Sequence, residues 1–134
     1  MSKKIINTTG KRKSAIAKAT VREGKKPYVK INNVSLDIFR PDMAKLRIQE
    51  PLLLAGDVAK KLSISVNVSG GGVSSQADAT RLAIAKALAE YNEGLKQVFL
   101  DYDRQLLVAD VRRKETRKPN SHGKARAKRQ KSYR

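Results

Sequence analysis

Gly70-Gly71-Gly72 lies between a segment of alternating apolar residues and a helical one. A glycine-rich loop in that setting can hold a phosphate, because its amides point at the ligand and the helix N-terminus adds positive potential. The loop lacks the Gly-Lys-Ser/Thr ending of a nucleoside-triphosphate loop and the spaced glycines of a dinucleotide fingerprint. A small-nucleotide site is therefore weakly signalled. A turn that lets a helix pack closely on its sheet and a contact to nucleic-acid phosphate both stay open. Asp101 and Asp103 could serve as acid and base, but no recognisable partner accompanies them and a solvated face is expected. Serines are plentiful, yet the one histidine, His122, lies in a polar tail where nothing holds it as a base. With no cysteine, disulfides, thiolate catalysis and cysteine-type zinc sites are excluded. The expectation is a protein that is not an enzyme and needs no metal or cofactor.

What the sequence has in excess is positive charge. Thirty Lys and Arg stand against twelve Asp and Glu in 134 residues, a formal charge of +18. Self-repulsion on that scale opposes compaction unless a polyanion neutralises it, with nucleic acid the first candidate and an anionic membrane the second. The excess sits at the two ends. Residues 1–30 hold ten basic residues and one acid, 31–111 hold nine and ten, and 112–134 hold eleven and one. Lys11, Arg12, Lys13, Lys18 and Arg22 form the first cluster. The second comprises Arg112, Arg113, Lys114, Arg117, Lys118, Lys124, Arg126, Lys128 and Arg129, with Lys131, Tyr133 and Arg134 at the end. Together with Gly70, Gly71 and Gly72 these are the candidate phosphate contacts, since each cation that neutralises a phosphate releases counterions. Two Phe and four Tyr are too few for a surface that reads single-stranded bases by stacking, which favours binding through the backbone.

The elements that must carry these residues follow from periodicity. The length suits one small body over residues 1–111, followed by a basic tail over 112–134. That tail holds only Ala125, Ala127 and Tyr133 from the apolar set and is expected to be disordered when free. No run approaches the roughly 18 apolar residues of a membrane span, and the N-terminus lacks an apolar signal core, so a soluble, intracellular protein is expected. Lys4 to Gly10 reads as a strand and Lys11-Arg12-Lys13 as a basic turn. Ser14 to Arg22 reads as a strand with Ala15, Ala17, Ala19 and Val21 inward and Lys18, Thr20 and Arg22 outward. Tyr28 to Ile31 and Val34 to Leu36 flank Asn32-Asn33, a pair suited to a tight hairpin, which makes the first third a small antiparallel unit. Short helices are predicted over Asp42 to Gln49 and from Pro51 to Gly56, and a strand over Leu62 to Ser69. A helix over Ala79 to Tyr91 is expected to be capped by Ser75 with Asp78. A last helix carries Leu95, Val98, Phe99 and Tyr102, and a short strand runs from Leu106 to Ala109.

Three stretches carry a family resemblance: Thr9-Gly10-Lys11-Arg12-Lys13-Ser14-Ala15-Ile16-Ala17, then Val68 to Gly72 with Ser75 to Ala79 and Arg81 to Leu88, then Gln130-Lys131-Ser132-Tyr133-Arg134. In this order, over nearly the whole chain, they resemble the small-subunit ribosomal protein nine family. Lys118-Pro119-Asn120 and the Lys-Ser-Tyr-Arg ending look like its archaeal and eukaryotic branch. The resemblance implies an α/β sandwich like the second domain of ribosomal protein five, with a left-handed β-α-β crossover where pattern alone would favour the right-handed form. It implies a structural constituent of the small ribosomal subunit in the cytoplasm, its body on head ribosomal RNA beside neighbouring ribosomal proteins, with no small-molecule substrate. It also implies a tail that threads toward the decoding centre and contacts the anticodon stem-loop of transfer RNA in the peptidyl site. Carried over residue by residue, that contact falls on Arg134, with Lys131 and Tyr133 beside it; Tyr133 stands where the bacterial pattern has Lys. The rival readings are a free-standing nucleic-acid-binding or chaperone protein and a small-metabolite kinase using Gly70 to Gly72.

Overall fold

A computed structural model describes residues 4–24, 26–120, 123, 125 and 126. It contains strands β1 (Ile5–Arg12), β2 (Ala15–Glu23), β3 (Val29–Ile31), β4 (Val34–Ser35) and β5 (Leu62–Ser69), and helices α1 (Asp42–Ala55), α2 (Val73–Tyr91) and α3 (Gly94–Tyr102). The strands make one mixed sheet in the order β1-β2-β5-β3-β4, antiparallel throughout except for the parallel pair β3 and β5.

The alternation in β2 decides how the layers meet. Ala15, Ala17, Ala19 and Val21 are all buried, and their small side chains let α2 lie close over β1 and β2. Closest approach is at Gly10 of β1, where a Cβ atom would stand 2.2 Å from the carbonyl oxygen of Ala79 and 2.7 Å from the amide nitrogen of Ala83. The hydroxyl of Thr8 donates to the Ala83 carbonyl at 2.7 Å, tying helix and strand by a polar contact beside the apolar one. Leu62, Ile64 and Val66 of β5 meet Ile84 and Leu88 of α2, Ile48 of α1 and Phe99 of α3 in one core. Each of the larger of these side chains, fully buried, contributes about 1.5–3 kcal/mol by leaving water.

Several sequence expectations are corrected by this arrangement. The first third is not one antiparallel unit: β5 inserts between the β1–β2 and β3–β4 hairpins and pairs with both. Its apolar face and its central place in the core explain the insertion. The hairpin turn itself is as expected, with Asn32 and Asn33 at φ 50° and 67°. The two short helices around Pro51 are a single helix, α1, with Pro51 inside it. Ala44, Ile48, Pro51 and Ala55 are buried at spacings of four, three and four, so one continuous face is held against the core despite the missing proline amide. Helix α2 starts at Val73 rather than Ala79, with Gly72 as its extended N-cap, and no Ser75 cap forms. Residues 106–109 form no strand; Leu106 ends a 3-10 turn, fully buried, and Asp103 accepts from the Gln105 amide at its start. Asp103 is thus a capping and ion-pairing residue rather than part of a solvated face, while Asp101 accepts from the Gln97 amide on α3 at 2.8 Å.

Candidate nucleic-acid interface

The basic turn is tighter than its sequence implies. Lys11 and Arg12 complete β1, and the chain reverses over Lys13 and Ser14, with Lys13 at φ 54°. Lys11 and Lys13 are exposed, whereas the Arg12 side chain is only 18% exposed because two carboxylates hold it. One is Asp110, in a short ion pair, and the other is Asp78 of α2 at 3.8 Å. Strand periodicity explains the difference. Arg12 has the same parity as Ile6, Thr8 and Gly10, which face the helices, while Lys11 belongs to the opposite face with Asn7 and Thr9.

The glycine loop packs against this turn. At Gly70, with φ 78°, a Cβ would meet the Ser14 carbonyl oxygen at 2.4 Å, and at Gly71 it would meet the Ala15 nitrogen at 3.1 Å. Two of the three glycines are therefore required by close backbone packing and by positive φ, which is the structural-turn reading. Around Gly72 a Cβ would meet nothing within 4 Å.

The residues that follow Asp110 arrive at the same end of the sheet. Arg113 donates to the Lys13 carbonyl at 2.6 Å, and the Arg112 guanidinium pairs with Asp110 at 2.7 Å. Oδ2 of Asp110 accepts from both Arg12 and Arg112, so one carboxylate clasps the end of β1 to the segment that follows Asp110. Its carboxyl is held well below the ordinary aspartate range, first by the Arg112 guanidinium and then by the Arg112 amide. The clasp consequently stays ionised at acid pH where an ordinary aspartate would begin to protonate. Farther along, Glu115 gathers Lys118 at 3.1 Å and Arg126 at 2.9 Å and is itself held below the usual glutamate value, chiefly by Lys118. Lys114 and Arg117 are exposed. Lys124, Lys128, Arg129, Lys131, Tyr133 and Arg134 lie outside the described residues, as does His122.

Lys18 and Arg22 stand elsewhere, on the outer face of β2, both exposed. Among the described residues the cations thus divide by environment. Three arginines at the helix layer are held on carboxylates: Arg12 as above, Arg47 on Asp78 at 3.3 Å, and Arg81, 14% exposed, on Glu50 at 2.6 Å and Asp103 at 3.2 Å. Sequence reading missed this network, because its partners are far apart in the chain and no local spacing announces them.

A basic turn, a glycine loop and the arginines that follow Asp110 thus converge on one end of the sheet. A model of the family described as ribosomal protein S9/S16 matches residues 10–134. The chain belongs to the ribosomal protein S9/S16 family. Among the similar members are the small ribosomal subunit proteins uS9 of two Methanococcus maripaludis strains, each 46% identical over 134 residues, covering 98% of this chain and 99% of the relative. The small ribosomal subunit protein uS9 of Methanothrix thermoacetophila is 46% identical over 133 residues with the same coverage. As a member of the S9/S16 family the chain is a ribosomal protein and not an enzyme, and it works on the ribosome in the cytoplasm. Among the described residues, no helix is long and apolar enough to cross a membrane.

Proposed function

We propose that this S9/S16-family protein is a structural constituent of the small ribosomal subunit that binds the ribosomal RNA of the head and, through its C-terminus, transfer RNA in the peptidyl site. The convergence of Lys11, Lys13, Gly70 to Gly72, Arg112 and Arg113 at one end of the sheet carries the reading. Lys18 and Arg22 extend the RNA contacts along β2, and Lys114, Arg117, Lys118, Lys124, Arg126, Lys128 and Arg129 carry them along the tail. Arg12 serves the same end indirectly, by holding Asp110 and so the tail root. The body over 1–111 and the tail over 112–134 are two functional parts in this account, and the body takes the architecture of the second domain of ribosomal protein five. The parallel neighbours β3 and β5, joined through α1, would form its left-handed crossover. Against the kinase reading, Gly70 and Gly71 are filled from behind by Ser14 and Ala15. Near full-length similarity to small-subunit proteins speaks against a free-standing chaperone.

Fully extended, the 23 residues after Val111 reach roughly 75 Å at about 3.3 Å each, enough to touch RNA remote from the body. Deleting Gln130 to Arg134, and with them Lys131, Tyr133 and Arg134, is expected to leave subunit assembly intact and to speed dissociation of transfer RNA from the peptidyl site of purified small subunits. An unchanged off-rate would refute the tail contact.

A further inference from the structure

All three helices lie on one side of the sheet, and among the described residues nothing covers the other side. Its residues can be read from strand register. One rung runs Asn7, Thr20, Ser65 and Lys30 across β1, β2, β5 and β3, and the next runs Thr9, Lys18 and Asn67 across β1, β2 and β5. Arg22 and Lys11 close the face at its two ends. None of these positions holds a carboxylate, in contrast to the helix-facing side, where each arginine of the network meets an acid. None is aromatic; the ring of Tyr28, beside the face, already carries the Lys30 ammonium at 5.0 Å. A depression of about 530 Å³ sinks between Asn7, Thr9, Lys18, Thr20 and Asn67, with Lys86 of α2 at its margin.

From this face we infer a partner of defined chemistry: the sugar–phosphate backbone of an RNA duplex, with Lys11, Lys18, Arg22 and Lys30 on phosphates and Thr9, Thr20, Ser65 and Asn67 on ribose 2′-hydroxyls. The inference rests on the RNA-binding function proposed above and deepens it. Charge complementarity selects the polyanion, since four cations stand on this face without a competing carboxylate, with exposed Ile5 and Ile16 beside Arg22 and Lys11 at its ends. The absence of rings removes the stacking platform that single-stranded RNA requires. Hydroxyl and amide groups set between the cations can each donate and accept, which is what contact with a 2′-hydroxyl needs. Four strands spaced about 4.8 Å apart give a shallow surface about 14 Å wide, a shape suited to the wide, shallow minor groove of A-form RNA.

The test uses the full chain and three probes: a generic RNA duplex, the DNA duplex of the same sequence, and single-stranded RNA. Lys18→Gln, Arg22→Gln and Lys30→Gln together should lower the salt slope for the RNA duplex by about 2 to 3. The triple Lys60→Gln, Lys61→Gln and Lys96→Gln, with the same charge change at positions off this face, should leave it nearly unchanged. Thr9→Val, Ser65→Ala and Asn67→Ala together should keep the slope but erase the preference for RNA over DNA duplex. Circular dichroism and melting of each variant verify the fold. Equal slope losses in the two charge triples, tighter binding of single-stranded RNA than of duplex, or indifference between RNA and DNA would each overturn the assignment. A slope left whole by both triples would move binding to the tail, sinking this face while leaving the RNA-binding function standing; failure of the unaltered chain to bind any RNA would sink that function itself.

Discussion

Gly10→Ala is expected to destabilise the body by about 3 kcal/mol, the upper part of the range for forcing one extra methyl into a packed core. The reason is the nature of the obstacle. The added Cβ would stand 2.2 Å from one α2 backbone atom and 2.7 Å from another, and helix backbone cannot swing aside as a side chain does. Relief requires α2 to lift from β1 and β2, which also strains the Thr8 bond to Ala83 and the packing of Ala15, Ala17 and Ala19. A glycine-to-alanine change also reduces the freedom of the unfolded chain, which stabilises by about 0.4–1 kcal/mol and offsets only a fraction of the clash. The melting temperature should fall by roughly 10 °C. Gly72→Ala supplies the comparison: its Cβ meets nothing within 4 Å, so only the change of helix cap counts, at about 1 kcal/mol or less. Calorimetry of both variants checks the pair, and equal losses would show that the contact at Gly10 does not govern the layer spacing.

A chain ending at Val111 should keep its fold and lose most of its salt-dependent affinity for RNA. The deletion takes away eleven cations and one acid, more than half of the net +18. Arg112, Lys118 and Arg126 also face carboxylates that compete with phosphate, so eight of the eleven cations are counted as full contacts. With each contact contributing roughly 0.7 to 0.9 to the dependence of log affinity on log salt, the slope should fall by about 6. The body survives because Arg12 keeps its pairs with Asp110 and Asp78 and no core side chain is lost. Titrations of both chains against small-subunit RNA between low and physiological salt measure the change. A slope unaltered by the deletion would mean that the tail makes no phosphate contacts.

How far these features were legible in the sequence depends on the range of the interaction that sets them. The alternation of Ala15 to Val21 and of Leu62 to Val68 revealed two strands and their buried faces, and Asn32-Asn33 revealed a hairpin, because each is decided within a few residues. Pro51 misled, since its local preference for starting a helix was outweighed by a burial stripe running past it from Ala44 to Ala55. Ser75 and Asp78 spell a cap locally, yet Asp78 is drawn instead to Arg12 and Arg47, 66 and 31 residues away. The place of β5 between two hairpins is likewise a matter of which apolar face needs cover on both sides. For the interface, charge counting found the two basic clusters but could not sort them. The division between Arg12, Arg47 and Arg81 held on acids and Lys11, Lys18, Arg22 and Lys30 on the open face appears only once strand parity meets long-range pairing.

The RNA-binding role requires the chain to be a fixed part of the small subunit. Sedimentation of cell extracts through sucrose gradients at high salt tests that most directly. The chain should travel with small subunits at close to one copy each and resist the salt, because specific RNA and protein contacts add to simple charge attraction. Its release to the top of the gradient, with small subunits intact below, would contradict the account.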